Sequence, residues 1–218
     1  MSIDYAKARV NMVDCQIRTS DVTDASIISA FMQVPRELFV PDHLKPLAYL
    51  DEDLDIGHDR YLAAPAQLAR LIQGAQAGPD DIVLDVGCAT GYSSAILSHV
   101  CSFVVALESN GPFATQAAEH LSTLECDNAV VVEGDLEAGY ASEGPFDVIL
   151  VAGAVETIPE SLLGQLREGG RLVSVEGTGN SAMACLWIND DGVVSKRRLF
   201  NCALPRLPGF SRPPAFVF

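Results

Sequence analysis

Residues 82–92 constrain the fold of this chain more than any other part of its 218 residues. An apolar, β-branched run ends in Asp85 and Val86, and the chain then turns through Gly87, Ala89 and Gly91 into a helix-like pattern. This order is typical of a buried parallel strand that leads into a tight loop, where small residues let a ligand approach the backbone. Since the N–H groups of such a loop and of the next helix bind polar or anionic groups, the segment predicts a nucleotide-type ligand. A tight strand-to-helix turn that simply needs small residues is the structural alternative.

The spacing of the small residues distinguishes two kinds of nucleotide site. A dinucleotide loop has the pattern Gly-x-Gly-x-x-Gly, whose three glycine places are held here by Gly87, Ala89 and Tyr92. The third glycine is therefore missing. The spacing from Asp85 to Gly91 instead resembles the S-adenosylmethionine loop of class I methyltransferases, and this resemblance implies S-adenosylmethionine as the cofactor.

Composition excludes several classes of function. A formal net charge of −15 argues against a nucleic-acid backbone as substrate and against anionic membranes, because phosphate contacts need a basic surface. No apolar run approaches the ~20 residues that span a bilayer, and the first residues lack the apolar centre of a signal peptide, so we expect a cytoplasmic location. The six cysteines form no Cys-x-x-Cys pair and no cluster with histidines, so we expect no metal site.

The first 65 residues read differently from the rest. Residues 4–18 have the apolar spacing of an amphipathic helix, and a second helix begins at Ser20 or Asp21 and ends before Pro35. Residues 51–65 read as irregular. We interpret 1–65 as a helical cap with an acceptor-site segment, and 66–218 as a cofactor-binding domain, the two forming one continuous unit.

From residue 66 onward, helix and strand patterns alternate, which predicts a doubly wound, mostly parallel α/β sheet of seven strands. Asp191-Gly192 between two strand-like runs predicts an antiparallel hairpin at the end of the sheet, a feature of class I methyltransferases that simple dinucleotide folds lack. The predicted helices are 66–75, 92–98, 111–124 and 159–166, the last stopped by Gly169-Gly170. The predicted strands are 82–86, 103–108, 129–133, 146–151, 171–176, 183–189 and 193–200.

Two further strands end in groups suited to a nucleoside. Glu108 lies 21 positions after Gly87, and a carboxylate there accepts both hydrogens of a ribose diol. Asp135 follows the next strand and accepts from an adenine amino group, while Leu136 packs on the ring. Because ligands bind outside the carboxyl ends of parallel strands, these residues together predict one site, although Glu108 as a helix cap and Asp135 as a turn residue are alternatives.

Between residues 24 and 209 the chain resembles the protein-L-isoaspartate O-methyltransferases, which methylate the side-chain carboxylate of damaged aspartyl residues. The blocks that carry the resemblance are 34–41 (Val-Pro-Arg-Glu-Leu-Phe-Val-Pro), 48–51, 56–57, 128–130, 134–135, 145–149, 158–159, 162–166 and 169–173. The resemblance implies a protein or peptide carboxylate as methyl acceptor. It does not imply an oligomeric state. The cofactor-binding set it implies, taken with three neighbouring residues, is Asp85, Gly87, Cys88, Ala89, Gly91, Glu108, Ser109, Asp135, Leu136 and Val151.

One segment departs from the family. Where the family has Gly-Gln-Thr-Ile-Ser-x-Pro, this chain has Asp-Arg-Tyr-Leu-Ala-Ala-Pro at 59–65, so Tyr61 replaces the threonine and Ala63 the serine. Bidentate carboxylate recognition by Arg60 is one replacement, with a solvated Arg60 and a packing Tyr61 as the structural alternatives, and Arg60, Tyr61 and Ala63 are our candidate acceptor-site residues. Two alternatives stay open: a methyltransferase for another acceptor, or a donor-binding module that no longer catalyses.

Overall fold

The computed structural model describes residues 3–210. Six α-helices lie in this part of the chain: α1 (Tyr5–Met12), α2 (Ala25–Gln33), α3 (Pro65–Ala75), α4 (Tyr92–Ser98), α5 (Gly111–Thr123) and α6 (Glu160–Leu163). The first two strands are β1 (Leu54–Gly57) and β2 (Arg60–Leu62). The others are β3 (Ile82–Val86), β4 (Phe103–Glu108), β5 (Ala129–Glu133), β6 (Phe146–Val155), β7 (Leu166–Glu176), β8 (Met183–Asp190) and β9 (Val193–Asn201).

Seven strands form one sheet in the order β5-β4-β3-β6-β7-β8-β9. The first five pair in parallel, and β8 and β9 are antiparallel. β3 is the central switch point, since Leu84 pairs with Val105 of β4 on one side and with Ile149 of β6 on the other. Asp191 and Gly192 both have positive φ, which the two-residue turn between β8 and β9 requires. The predicted fold class and the terminal hairpin are thus confirmed.

Alternate residues of the central strands face two different cores. Val83 and Val104 belong to a core shared with the cap, in which Met12 and Phe31 are fully buried. Leu84 and Val105 belong to the core on the other face of the sheet. The cap is therefore packed on the same face as α3 and α4, and it covers the edge where β3 leads into its loop.

The helices of the cap differ from the sequence predictions in two respects. The predicted helix 4–18 is α1 followed by a π-helical turn, Val13–Ile17, and a 3₁₀ turn, Arg18–Ser20. Asp24, and neither Ser20 nor Asp21, caps α2, because its carboxylate accepts the N–H groups of Ser26 and Ile27.

Three further predictions are wrong in detail. Residues 51–65 are not irregular throughout, since β1 and β2 form a separate two-stranded antiparallel hairpin. The predicted helix 159–166 is the single turn α6. The diglycine does not separate that helix from the next strand, because β7 begins at Leu166 and runs through Gly169 and Gly170.

Candidate functional site

The carboxyl ends of β3, β4 and β5 lie side by side. Val86 pairs with Leu107, and Glu108 pairs with Glu133, so the loop after β3, Glu108 and the loop after β5 share one edge of the sheet. The N–H groups of Gly87 and Cys88 both donate to the Leu107 carbonyl, at 2.8 and 3.2 Å, and this fixes the start of the loop against β4.

The loop after β3 has a conformation that favours small residues. Gly87, Ala89 and Gly91 have φ values of +81°, +49° and +94°. A Cβ on Gly91 would lie 3.1 Å from the Cβ of Ala117, so α5 packs directly against this loop. Ala89 carries the cost of the left-handed region, about 1–2 kcal/mol for a residue with a Cβ.

Asp85 is buried beneath the loop. Its Oδ2 accepts the hydroxyl groups of Ser93 and Ser94 at the start of α4, both at 2.6 Å. Its Oδ1 has no hydrogen-bond partner among residues 3–210. Burial raises the pKa of Asp85 to about 6, although the two serine hydroxyls and the Arg60 charge oppose this rise. Asp85 thus connects the end of β3 to α4, and the burial of its charge destabilises the ionised form.

Glu108 is fully buried, and each of its two carboxylate oxygens accepts at least two hydrogen bonds. Oε1 accepts the N–H groups of Ser109 and Asn110, both at 2.9 Å. Oε2 accepts the N–H of Ala89 at 2.7 Å and a hydrogen bond from Nη2 of Arg60, with which it forms a buried ion pair. The structure therefore brings together a predicted cofactor residue and a residue predicted for the acceptor site.

The remaining predicted cofactor residues differ in exposure. Leu136 and Val151 are buried, whereas Ser109 and Asp135 are exposed at the edge. Asp135 accepts the N–H of Glu137 at 3.1 Å in a turn and keeps its carboxylate open to solvent. Burial raises the pKa of the Cys88 thiol well above its usual range, so this side chain is protonated and serves as part of the loop's packing.

The three candidate acceptor-site residues lie on or next to β2. Arg60 and Leu62 point inward and Tyr61 outward, with 38% of its surface exposed. Tyr61 and Ala63 line two small cavities of about 10 and 20 Å³, with Gly153 and Leu207 on the wall of the first and Gly87 on that of the second. The structure thus places Ala63 and Tyr61 next to the loop after β3.

Two buried or half-buried side chains that the sequence did not single out hold this segment. Arg36 is fully buried and donates to the carbonyls of Ala48 and Ala63, at 2.6 and 2.8 Å. Asp53 accepts the N–H of Ala64 at 2.8 Å, and burial raises its carboxyl pKa. One feature of the sequence indicates the role of Arg36. It lies in the largely apolar block 34–41, and a charged side chain that is buried with such a run must find hydrogen-bond partners.

Leu207 is the third residue that the sequence did not identify. Its N–H donates to the Ala154 carbonyl at 2.9 Å, and this places the C-terminal segment along the end of β6. Its side chain lies against Gly87, where an added Cβ would come within 2.7 Å of Cδ1.

Within residues 3–210, no group of three or more histidine, cysteine or acidic side chains is arranged to hold a metal ion. In the same part of the chain no helix has the length and apolar character needed to cross a membrane.

Comparison with known proteins gives a consistent result. A family model described as protein-L-isoaspartate(D-aspartate) O-methyltransferase matches residues 7–204. A protein-L-isoaspartate O-methyltransferase of Koribacter versatilis is 36% identical over 94% of this chain and 92% of its own length. Protein-L-isoaspartate O-methyltransferase 1 of Rhodopseudomonas palustris is 37% identical over 82% of this chain and 73% of its own length.

Two solved structures have the same fold. A protein-L-isoaspartate O-methyltransferase superposes with a TM-score of 0.81 and 25% identity, over 92% of this chain and 66% of its own. A putative protein-L-isoaspartate O-methyltransferase of Plasmodium falciparum, solved with S-adenosyl-L-homocysteine, gives a TM-score of 0.76 at 21% identity, over 94% and 99%.

These matches extend across the cap and the sheet, and they confirm the predicted fold, the methyltransferase class and S-adenosylmethionine as the cofactor that this class implies. The chain belongs to the protein-L-isoaspartate O-methyltransferase family.

Proposed function

We propose that this chain transfers a methyl group from S-adenosylmethionine to the free carboxylate of isoaspartyl residues in proteins. The observation that carries the proposal is the shared edge at which the loop after β3, Glu108 and Asp135 meet. Family membership supports the acceptor class, because the relatives that cover most of the chain are named for isoaspartate.

The residues at this edge of the sheet have the chemical groups that binding of S-adenosylmethionine requires. Glu108 would hold the ribose hydroxyls, Asp135 the adenine amino group and Leu136 the adenine ring, while the backbone of 87–91 would face the methionine part. The unpartnered Oδ1 of Asp85 leaves an acceptor beneath the loop. Glu108 can serve only after Arg60 has released it, since both carboxylate oxygens are already bonded. When bound, the donor supplies an electrophilic methyl group on sulfur.

The chain has no need of a general base for this reaction. An acceptor carboxylate has a reference pKa near ~4 and is ionised at neutral pH, so it is already a nucleophile. The contribution of the protein is to hold the carboxylate in line with the methyl group and to exclude water. Arg36 and Asp53 serve this purpose by fixing the backbone at Ala63 and Ala64.

Ala63 determines how well the acceptor is held. A serine at this place would donate a hydrogen bond to the carboxylate, and a hydrogen bond to a charged group contributes about 1.5–3 kcal/mol. At tenfold in rate per ~1.4 kcal/mol, its absence slows transfer by roughly 10- to 200-fold without abolishing it. Ala63 borders both small cavities, so a hydroxyl has room there.

The test uses a labelled methyl donor with two peptides that differ only in one isoaspartyl or aspartyl linkage. We expect the wild type to label the isoaspartyl peptide alone, and Ala63→Ser to raise the rate within the stated range. Ala64→Ser, which adds the same hydroxyl one residue further along, is the matched control and leaves the rate unchanged. Label in neither peptide, or equal label in both, would refute the proposed acceptor.

Two parts of the proposal rest on the sequence predictions. One is that the natural acceptor is a protein or peptide, and the other is that the protein is cytoplasmic. A donor-binding module without catalysis, or a different acceptor, is less well supported because the relatives that cover most of the chain are named protein-L-isoaspartate O-methyltransferases.

A further inference from the structure

Arg60 occupies the carboxylate that the proposed donor would need. Its side chain is 4% exposed, and Nη2 donates to Oε2 of Glu108, the atom that also accepts the Ala89 N–H. Backbone N–H groups of Ser109 and Asn110 take up the other oxygen. Backbone N–H groups hold three of the roughly four acceptor positions of this carboxylate, so the position that Arg60 occupies is the one that a ribose hydroxyl would have to take.

Leu207 blocks the neighbouring backbone surface. A Cβ added to Gly87 would meet Leu207 Cδ1 at 2.7 Å and Cδ2 at 3.0 Å, and Arg60 Nη2 at 3.4 Å. The two side chains therefore converge on the face of Gly87 that a ligand would approach. The cavities beside them measure about 10 and 20 Å³. Such a space holds about one water, whereas ligand sites span ~300–1,000 Å³.

The contact made by Arg60 lacks the features of a permanent structural ion pair. Nε of Arg60 is buried and has no acceptor among residues 3–210, so the guanidinium is only partly satisfied. A buried donor without an acceptor destabilises the folded state. Glu108, by contrast, keeps three backbone donors when Arg60 leaves. Displacement of Arg60 from Glu108 therefore removes a buried donor that has no acceptor, while the Glu108 carboxylate stays hydrogen-bonded to the backbone.

The hairpin that carries Arg60 is also suited to movement. Within residues 3–210, β1 and β2 form a sheet separate from the seven-stranded one, and the buried side chains of Leu54, Ile56 and Leu62 hold the hairpin to the core. Its turn places His58 and Asp59 at φ values of +54° and +56°, a conformation that costs side-chain-bearing residues free energy. Displacing the hairpin thus breaks few main-chain hydrogen bonds.

We propose that Arg60 and Leu207 form a latch that closes the donor site in the ligand-free protein and that donor binding must displace. This inference rests on the proposed function, because it concerns the same donor site. The family pattern has glutamine where Arg60 stands, so the charged part of the latch departs from that pattern. If the latch is closed in about 90% of molecules, the apparent affinity for the donor is reduced tenfold.

The test is calorimetric titration with S-adenosylhomocysteine of the wild type, Arg60→Gln, Leu207→Ala and Arg171→Gln. Arg171 is the matched control, since its 2.6 Å ion pair with Asp81 lies at the opposite edge of the sheet. We expect Arg60→Gln to bind about tenfold more tightly and Leu207→Ala several-fold more tightly, with Arg171→Gln within twofold of the wild type. Without ligand, backbone amides of 54–62 should exchange hydrogen faster in Arg60→Gln than in the wild type or Arg171→Gln.

Each other outcome contradicts the latch. Unchanged affinity in both Arg60→Gln and Leu207→Ala would mean that neither side chain competes with the ligand. Weaker binding by Arg60→Gln, in a variant whose thermal unfolding matches that of the wild type, would make Arg60 a ligand contact. If neither the wild type nor any variant binds S-adenosylhomocysteine, the proposed function fails together with the latch. Failure of the latch alone leaves wild-type binding intact.

Discussion

Replacing Asp85 by asparagine should stabilise the protein, and the gain should grow with pH. Asp85 has a pKa of about 6 in the folded chain against an ordinary value of 3.8, because burial penalises its charge. Below pH ~4 the carboxyl is protonated in both states and there is no penalty. Between these two pKa values the unfolded state loses its proton first, so the free energy of unfolding of the wild type falls as pH rises.

The size of the effect follows from the shift. Two pKa units at 1.36 kcal/mol each give a ceiling of about 3 kcal/mol above pH ~7, and about half of that is present at pH ~5. Asparagine avoids the charge penalty. Its oxygen can accept from Ser93 and Ser94, and its amide group replaces Oδ1, an atom without a partner among residues 3–210, so no hydrogen bond is lost.

Urea unfolding of the wild type and Asp85→Asn at pH 5 and pH 8 measures this difference. We expect the advantage of Asp85→Asn to grow by about 1–1.5 kcal/mol between the two pH values. Asp80→Asn, a change at an exposed aspartate, is the control and should stay within ~0.5 kcal/mol of the wild type at both. An advantage that is constant with pH, or that shrinks as pH rises, would refute the assignment of a desolvated charge to Asp85.

Three other changes test neighbouring parts of the site. Arg36→Met should lower the free energy of unfolding by about 2–4 kcal/mol in urea, because the carbonyls of Ala48 and Ala63 lose their donor; a loss below ~1 kcal/mol would contradict this. Ala89→Gly should raise thermal stability by up to ~1 kcal/mol, since φ is +49° and the relief of left-handed strain exceeds the entropy cost of glycine; destabilisation would show that strain is absent. Glu108→Ala should abolish S-adenosylhomocysteine binding in calorimetry at concentrations that saturate the wild type, and retained affinity would remove Glu108 from the donor site.

The regular part of the fold could be predicted closely from the sequence. The bounds of β3, β4 and β5 agree to the residue, because each is an apolar, β-branched run that either ends in an acid, as β4 and β5 do, or is followed by a glycine, as β3 is. The helix at 159–166 and the hairpin β1–β2 could not be predicted in this way. The helix shortens to α6 because Gly164 follows its first turn and the chain must enter β7, and β2 has only three residues, too few to show an alternating pattern.

The position of Glu108 at the sheet edge could be predicted from the sequence, but the contacts that it makes there could not. The sequence pattern predicts that Glu108 is the last residue of a strand, and in the structure it is the last residue of β4. Arg60 and Glu108 are 48 residues apart, and only the packing of the β1–β2 hairpin on the sheet edge brings them together. The burial of Arg36 likewise depends on carbonyls 12 and 27 residues away, which no local pattern reveals.

Mass spectrometry of an isoaspartyl peptide after incubation with the wild-type protein and S-adenosylmethionine tests the central claim most directly. The account predicts one added methyl group, on the free carboxylate of the isoaspartyl residue and removable by mild base, with the aspartyl twin unmodified. A peptide that stays unmethylated while the protein binds the donor, or a methyl group on any other atom, would contradict it.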